Sequence, residues 1–87
     1  MRVTVISPEA AVFDGEADSV VAPAFDGEVG ILANHAPFMT SLGAGVLRIK
    51  AVGVTHEYQV QGGFLQVVKN SVRVLAERIH EKAASAS

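Results

Sequence analysis

Alternation of polar and apolar residues with a period of two, broken every few positions by turn-forming pairs, is the feature that most narrows what this chain can fold into. Across residues 55–61 it places Tyr58 and Val60 on one side and Glu57, Gln59 and Gln61 on the other, as a strand with one buried face requires. Residues 71–75 repeat the pattern, with Val72 and Val74 opposite Arg73. Between such runs stand Ser7-Pro8, Asp14-Gly15, Asp26-Gly27, Gly43 to Gly45, Gly53, Gly62-Gly63 and Asn70-Ser71. Each reads as a turn, because Gly, Asn and Asp tolerate positive φ and Pro presets its own. The spacing predicts an all-β sandwich or barrel. The strands fall near 3–6, 11–13, 17–22, 29–32, 38–42, 46–51, 54–61, 64–69 and 72–76. Beyond them Leu75, Ile79 and Ala83 are spaced for one helical face. This predicts a short helical tail over 78–87, with Ser85-Ala86-Ser87 frayed.

Eighty-seven residues make one domain. No cysteine is present, so disulfides, thiolate catalysis and the usual structural zinc sites are excluded and the core alone must hold the fold. A net charge of −2 with seven scattered Lys and Arg provides no cationic stripe for nucleic acid. Only 18% of residues are charged, below the roughly 25% of an average soluble domain, which leaves apolar surface over for a partner. The apolar segment at 3–6 is too short for a signal-peptide core, so a cytoplasmic domain is expected. Residues 29–47 contain no formal charge, yet Asn34, His35, Pro37, Thr40, Ser41, Gly43 and Gly45 would strand polar groups and helix breakers in hydrocarbon. Membrane insertion is not expected.

Catalytic chemistry is sparse. His35, His56 and His80 lie far apart and form no metal-binding spacing, so no metal site is expected. Ser41, His35 and Asp26 could be assembled into a triad on paper, but nothing resembles a nucleophile elbow. Asp26 and Glu28 would point to one side of a strand as an acid–base pair, or simply form a solvated hairpin tip. Gly43-Ala44-Gly45 lacks the remaining glycine, the lysine and the helix of a phosphate loop and reads as a turn. His35, beside Asn34 and near Pro37 in the uncharged stretch, is either a structural brace for its loop or a partner contact.

The run from Asp26 through Pro37 (Asp-Gly-Glu-Val-Gly-Ile-Leu-Ala-Asn-His-Ala-Pro), followed by Gly45-Val46-Leu47-Arg48-Ile49, resembles the epsilon subunit of F-type ATP synthase. Ser7-Pro8-Glu9, Phe13-Asp14-Gly15-Glu16-Ala17, Gly62-Gly63-Phe64, Asn70 and Val74-Leu75-Ala76 extend the resemblance over residues 3–77. It implies a ten-stranded β-sandwich of two five-stranded sheets over residues 1–77, then a short tail over 78–87 without the family's C-terminal helical hairpin. The implied function is that of a non-catalytic central-stalk (rotor) subunit in a hetero-oligomeric, proton-translocating complex. There it would join the gamma subunit to the c-subunit ring and couple ion flow to ATP synthesis or hydrolysis, peripheral to the cytoplasmic face of a bacterial inner membrane and without a cofactor. Lacking the hairpin, it is expected neither to inhibit hydrolysis nor to sense ATP.

By the resemblance, Glu28 takes the acidic position facing the c ring, with Val29, Gly30 and Ile31 as neighbouring loop surface, while His35 and Thr40 face gamma. The chain departs from the family at Ala24, where glycine is usual, at Ala33, where proline is usual, and at Gly43-Ala44 in place of Lys-Pro. The alternative is an independent β-sandwich binding module using exposed aromatics as platforms. One Tyr, four Phe and no Trp supply that poorly.

Overall fold

The computed structural model describes residues 1–34, 36–82 and, for the backbone, 85–86. They form nine strands: β1 (Arg2–Ile6), β2 (Ala11–Glu16), β3 (Ser19–Ala24), β4 (Gly27–Leu32), β5 (Phe38–Ser41), β6 (Ala44–Ala51), β7 (Val54–Val68), β8 (Ser71–Glu81) and β9 (Ser85–Ala86). No helix occurs among the described residues, and the all-β expectation holds. Hydrogen bonding follows the order β2-β1-β8-β7-β6-β3-β4, with β5 and β9 also paired to β7.

Two long strands convert this single path into two layers. Along β7 and β8 the antiparallel register runs without a slip from Val68↔Ser71 to Tyr58↔Glu81. The first half of β7 pairs with β6 and its second half with β5, while the first half of β8 pairs in parallel with β1. Counted by halves, one layer holds β4, β3, β6, the first half of β7, the end of β8 and the short β9, and the other holds β5, the second half of β7, the start of β8, β1 and β2. The expected ten strands in two separate five-stranded sheets are instead, among the described residues, nine strands in one continuous hydrogen-bonded sheet, because β7 and β8 each run through both layers. The layers face each other. Phe13 of β2 meets His56 of β7 with ring centroids 5.3 Å apart, although β1 and β8 separate those strands in the sheet order.

The predicted turn at Gly62-Gly63 is instead the bend inside β7. Gly62 has φ 74° and Gly63 φ 122°, and a Cβ on Gly63 would overlap the Leu75 carbonyl. Only glycine accepts both that dihedral and that approach. Asp14-Gly15 is likewise strand rather than turn. Asp14 pairs with Thr4 across β1 and takes the Arg2 guanidinium at 2.7 Å. Of the Gly43 to Gly45 segment, only Gly43 lies between strands.

The core is one cluster. Val3 and Val5 of β1, Val20 of β3, Leu47 and Ile49 of β6, Tyr58, Val60 and Leu65 of β7, and Val72 and Val74 of β8 are each at most 1% exposed. Each alternates with an outward residue, so the period of two read from the sequence is the period of burial.

The helical tail is overturned. β8 continues as strand to Glu81, pairing Arg78 with Gln61, Ile79 with Val60 and His80 with Gln59, and no boundary falls at Glu77. β7 presents an open ladder to these residues, and tertiary hydrogen bonding overrides a helix too short to stand alone. Ala83, the third member of the helical pattern, lies outside the described residues.

Candidate functional site

The β3–β4 hairpin turns through Phe25-Asp26, closed by Ala24 paired with Gly27, whose φ of 135° suits glycine. Strand alternation then sorts β4. Glu28, Gly30 and Leu32 point outward, whereas Ile31 is 1% exposed in the core and Val29 packs partly against it. The expected loop surface of Val29, Gly30 and Ile31 is therefore a strand. It is also the last strand of the sheet order, and the Ile31 side chain is committed to the core.

Glu28 is exposed and belongs to a line of charge. Arg48 of β6 donates from Nη1 to Glu28 Oε2 at 3.4 Å and from Nε to Glu57 Oε2 of β7 at 3.1 Å. Register explains the reach. Arg48 pairs with Val21, and Val21 with Gly30, while Glu28 lies two residues before Gly30 on the same face of β4, so the guanidinium reaches diagonally across β3 to Glu28.

Of the two residues expected to face gamma, His35 lies outside the described residues. Its neighbour Asn34 has φ 65° and donates its amide to Asn70 Oδ1 at 2.9 Å. Thr40 lies on β5, half-buried and in phase with Phe38, which packs on the core. The Thr40 hydroxyl donates to the Ser41 carbonyl at 3.4 Å.

An apolar face was not anticipated at particular residues. On the outer side of β5, β7 and β8, Met39 aligns with Gln66 and Arg73, and Ser41 with Phe64 and Leu75. Met39 is 62%, Phe64 54% and Leu75 47% exposed. With Gln66 and Arg73 they line an open groove of about 290 Å³. The signal was present in the sequence: Phe64 and Leu75 are large apolar residues in the outward phase of strands whose inward phase is already filled by Leu65 and Val74. Exposed large side chains clustered on a sheet face mark an interaction surface better than scattered ones.

The catalytic alternatives gain nothing. Asp26 is exposed at the hairpin tip and Glu28 is engaged by Arg48. Among the described residues no three His, Asp or Glu gather as metal ligands, and no helix is long and apolar enough to cross a membrane.

Comparison with known proteins is consistent across three measures. Residues 1–82 match the family described as ATP synthase, Delta/Epsilon chain, beta-sandwich domain. The chain is 41% identical over 83 residues to the ATP synthase epsilon chain of Caulobacter vibrioides, covering 95% of this chain and 96% of that one. It is 49% identical over 78 residues to the epsilon chain of Symbiobacterium thermophilum, covering 88% of this chain but only 56% of that relative. Relative to that longer protein the chain spans a little over half the length. Among solved structures it resembles a chain of the Euglena gracilis mitochondrial ATP synthase OSCP/F1/c-ring assembly, with TM-score 0.84 and 22% identity over 91% of this chain and 51% of that one. It also resembles a chain of the Tetrahymena thermophila mitochondrial ATP synthase central stalk and c-ring, with TM-score 0.78 and 16% identity over 91% of this chain and 64% of that one. At those identities the two structures speak for the fold alone.

Proposed function

Because the chain belongs to the family of ATP synthase delta/epsilon-chain β-sandwich domains, we propose that it is a non-catalytic central-stalk subunit, seated between the gamma subunit and the c-subunit ring on the cytoplasmic face of a bacterial inner membrane. In this reading it turns with both and couples ion flow to ATP synthesis or hydrolysis. It binds no cofactor and makes or breaks no covalent bond. The observation that carries the reading is the family match over residues 1–82, and the two outer faces give it a physical form. The charged face of β4 and β6 centres on Glu28, while the apolar face of β5, β7 and β8 belongs to the other layer.

The Glu28 face suits the ring because an exposed carboxylate gives orientation and charge complementarity to polar loops. Gly30 supports this. Its φ is not in the left-handed region, and a Cβ there would meet nothing within 4 Å, so the fold does not require glycine. A glycine that weakens an edge strand without a local reason fits close approach by another backbone. The Met39-Phe64-Leu75 face, which shares β5 with Thr40, suits gamma. Such a face is desolvated at little cost, with Arg73 left at its border.

The test is binding of the purified chain to isolated gamma and to membranes containing the c ring. Glu28→Ala and Gly30→Leu are expected to weaken ring binding while sparing gamma; His35→Ala and Phe64→Ser are expected to do the reverse. Wild-type chain that binds neither component would overturn the assignment to the stalk. Undiminished binding by all four variants would remove these residues from the interfaces.

A further inference from the structure

The line Glu57–Arg48–Glu28 has a directionality that its members do not show singly. Glu57 is the most sheltered of the three, with its side chain 29% exposed against 44% for Arg48 and 63% for Glu28. The shorter contact, Nε to Oε2 at 3.1 Å, is to Glu57, and the longer, Nη1 to Oε2 at 3.4 Å, is to Glu28. The guanidinium is therefore anchored at its inner end and steadies Glu28 at its outer end. Glu28 Oε1 makes no hydrogen bond among the described residues.

From this geometry we propose that Arg48 is a positioning residue for the docking carboxylate. It is held by Glu57, and it presents Glu28 with one oxygen engaged and one oxygen turned to the partner. The inference rests on the reading of Glu28 as a ring contact and adds the residues that prepare it.

Three physical points support the assignment. A glutamate on an exposed strand has three side-chain torsions to restrict when it docks, and a group fixed beforehand loses less freedom on binding. A guanidinium is the side chain suited to this work, because its planar fork engages two carboxylates at once through different nitrogens, which a lysine ammonium does not reproduce. The line also alternates in sign: two carboxylates flank one cation, for a net charge of −1. It therefore favours a partner surface that sets a cation or amide donors opposite Glu28 while tolerating the positive charge behind it. An acidic partner is disfavoured at Glu28, and a uniformly basic one is disfavoured at Arg48.

A double-mutant cycle on the full chain tests this, with binding to c-ring membranes measured for wild type, Glu28→Gln, Arg48→Gln and the double variant. Thermal midpoints and gamma binding serve as controls for folding. Arg48→Gln is expected to weaken ring binding about two- to fivefold, the scale of an exposed ion pair, and to add nothing in the Glu28→Gln background. Glu57→Gln should show a smaller loss that likewise disappears without Glu28. Arg48→Lys should restore only part of the affinity. If Arg48→Gln and Glu28→Gln losses multiply, Arg48 touches the partner independently and the positioning role is wrong. If Arg48→Gln binds as wild type while Glu28→Gln does not, the role is equally wrong, although Glu28 stands. If Glu28→Gln itself has no effect, the underlying ring reading fails first and takes this inference with it.

Discussion

At the scale of single residues, backbone conformation and burial disagree with composition at two places. Val52 occupies a two-residue hairpin between Ala51 and Val54 with φ 52°, followed by Gly53 at φ 74°, and is 92% exposed. Both central residues of such a turn need positive φ, which asparagine and glycine accept and a β-branched side chain resists. Val52→Asn is expected to stabilise the domain by about 1 kcal/mol, the scale of the left-handed penalty, read as a higher urea midpoint at unchanged slope. Tyr58, 1% exposed, has its phenol pushed above the ordinary 10.0, first by burial and then by the negative charge of Glu81. The charged phenolate is thus disfavoured in the folded state. The unfolded chain releases its proton first, so this contribution to stability is complete below about pH 10 and falls away as pH rises toward the folded value. Wild type should lose more stability between pH 8 and about 11 than Tyr58→Phe does. Equal losses in the two proteins would deny the shift.

At the scale of elements, what was legible follows from period and turn chemistry, and what was not follows from pairing. The strands at 3–6 and 46–51 emerge at or near their predicted limits, and the one at 72–76 at its predicted start, because each alternates buried valine, isoleucine or leucine with outward residues. The β7 bend was misread, since Gly62-Gly63 resembles a hairpin turn in sequence, and only the uninterrupted register with β8 shows a ribbon that bends without reversing. The tail was misread for a related reason: Leu75, Ile79 and Ala83 fit a helix locally, while the ladder that claims Arg78 to Glu81 comes from Tyr58 to Gln61, 17 to 23 positions earlier. Glu28 was singled out as a docking residue through the resemblance alone, and the fold leaves it exposed. Its contact with Arg48 was not legible, because the two come within reach only once β6, β3 and β4 are in register. The bend carries its own prediction. Gly63→Ala would drive a methyl group into the Leu75 carbonyl in an unfavourable dihedral, and a loss of about 1–3 kcal/mol is expected in urea denaturation. Gly53→Ala, where a Cβ would meet nothing within 4 Å, pays only for its dihedral and should lose less.

At the scale of the whole molecule, one apolar cluster holds both layers, and each outer face carries its own distinct cluster, the Glu28-Arg48-Glu57 charges on one and Met39, Phe64 and Leu75 on the other. A domain of extents 29 × 26 × 24 Å cannot bury a large fraction of its surface. Covering the Met39-Phe64-Leu75 face with a partner would therefore supply burial that the isolated fold lacks. The parallel pairing of Arg2–Ile6 with residues 71–75 bears on how such a domain comes into being. A newly made chain emerges with its first strand lacking its innermost neighbour until some seventy further residues have been translated, and contacts of such long range slow the approach to the native state. Val3 and Val5 wait in water through that interval, a period in which a chaperone or an early-arriving partner has the most to protect.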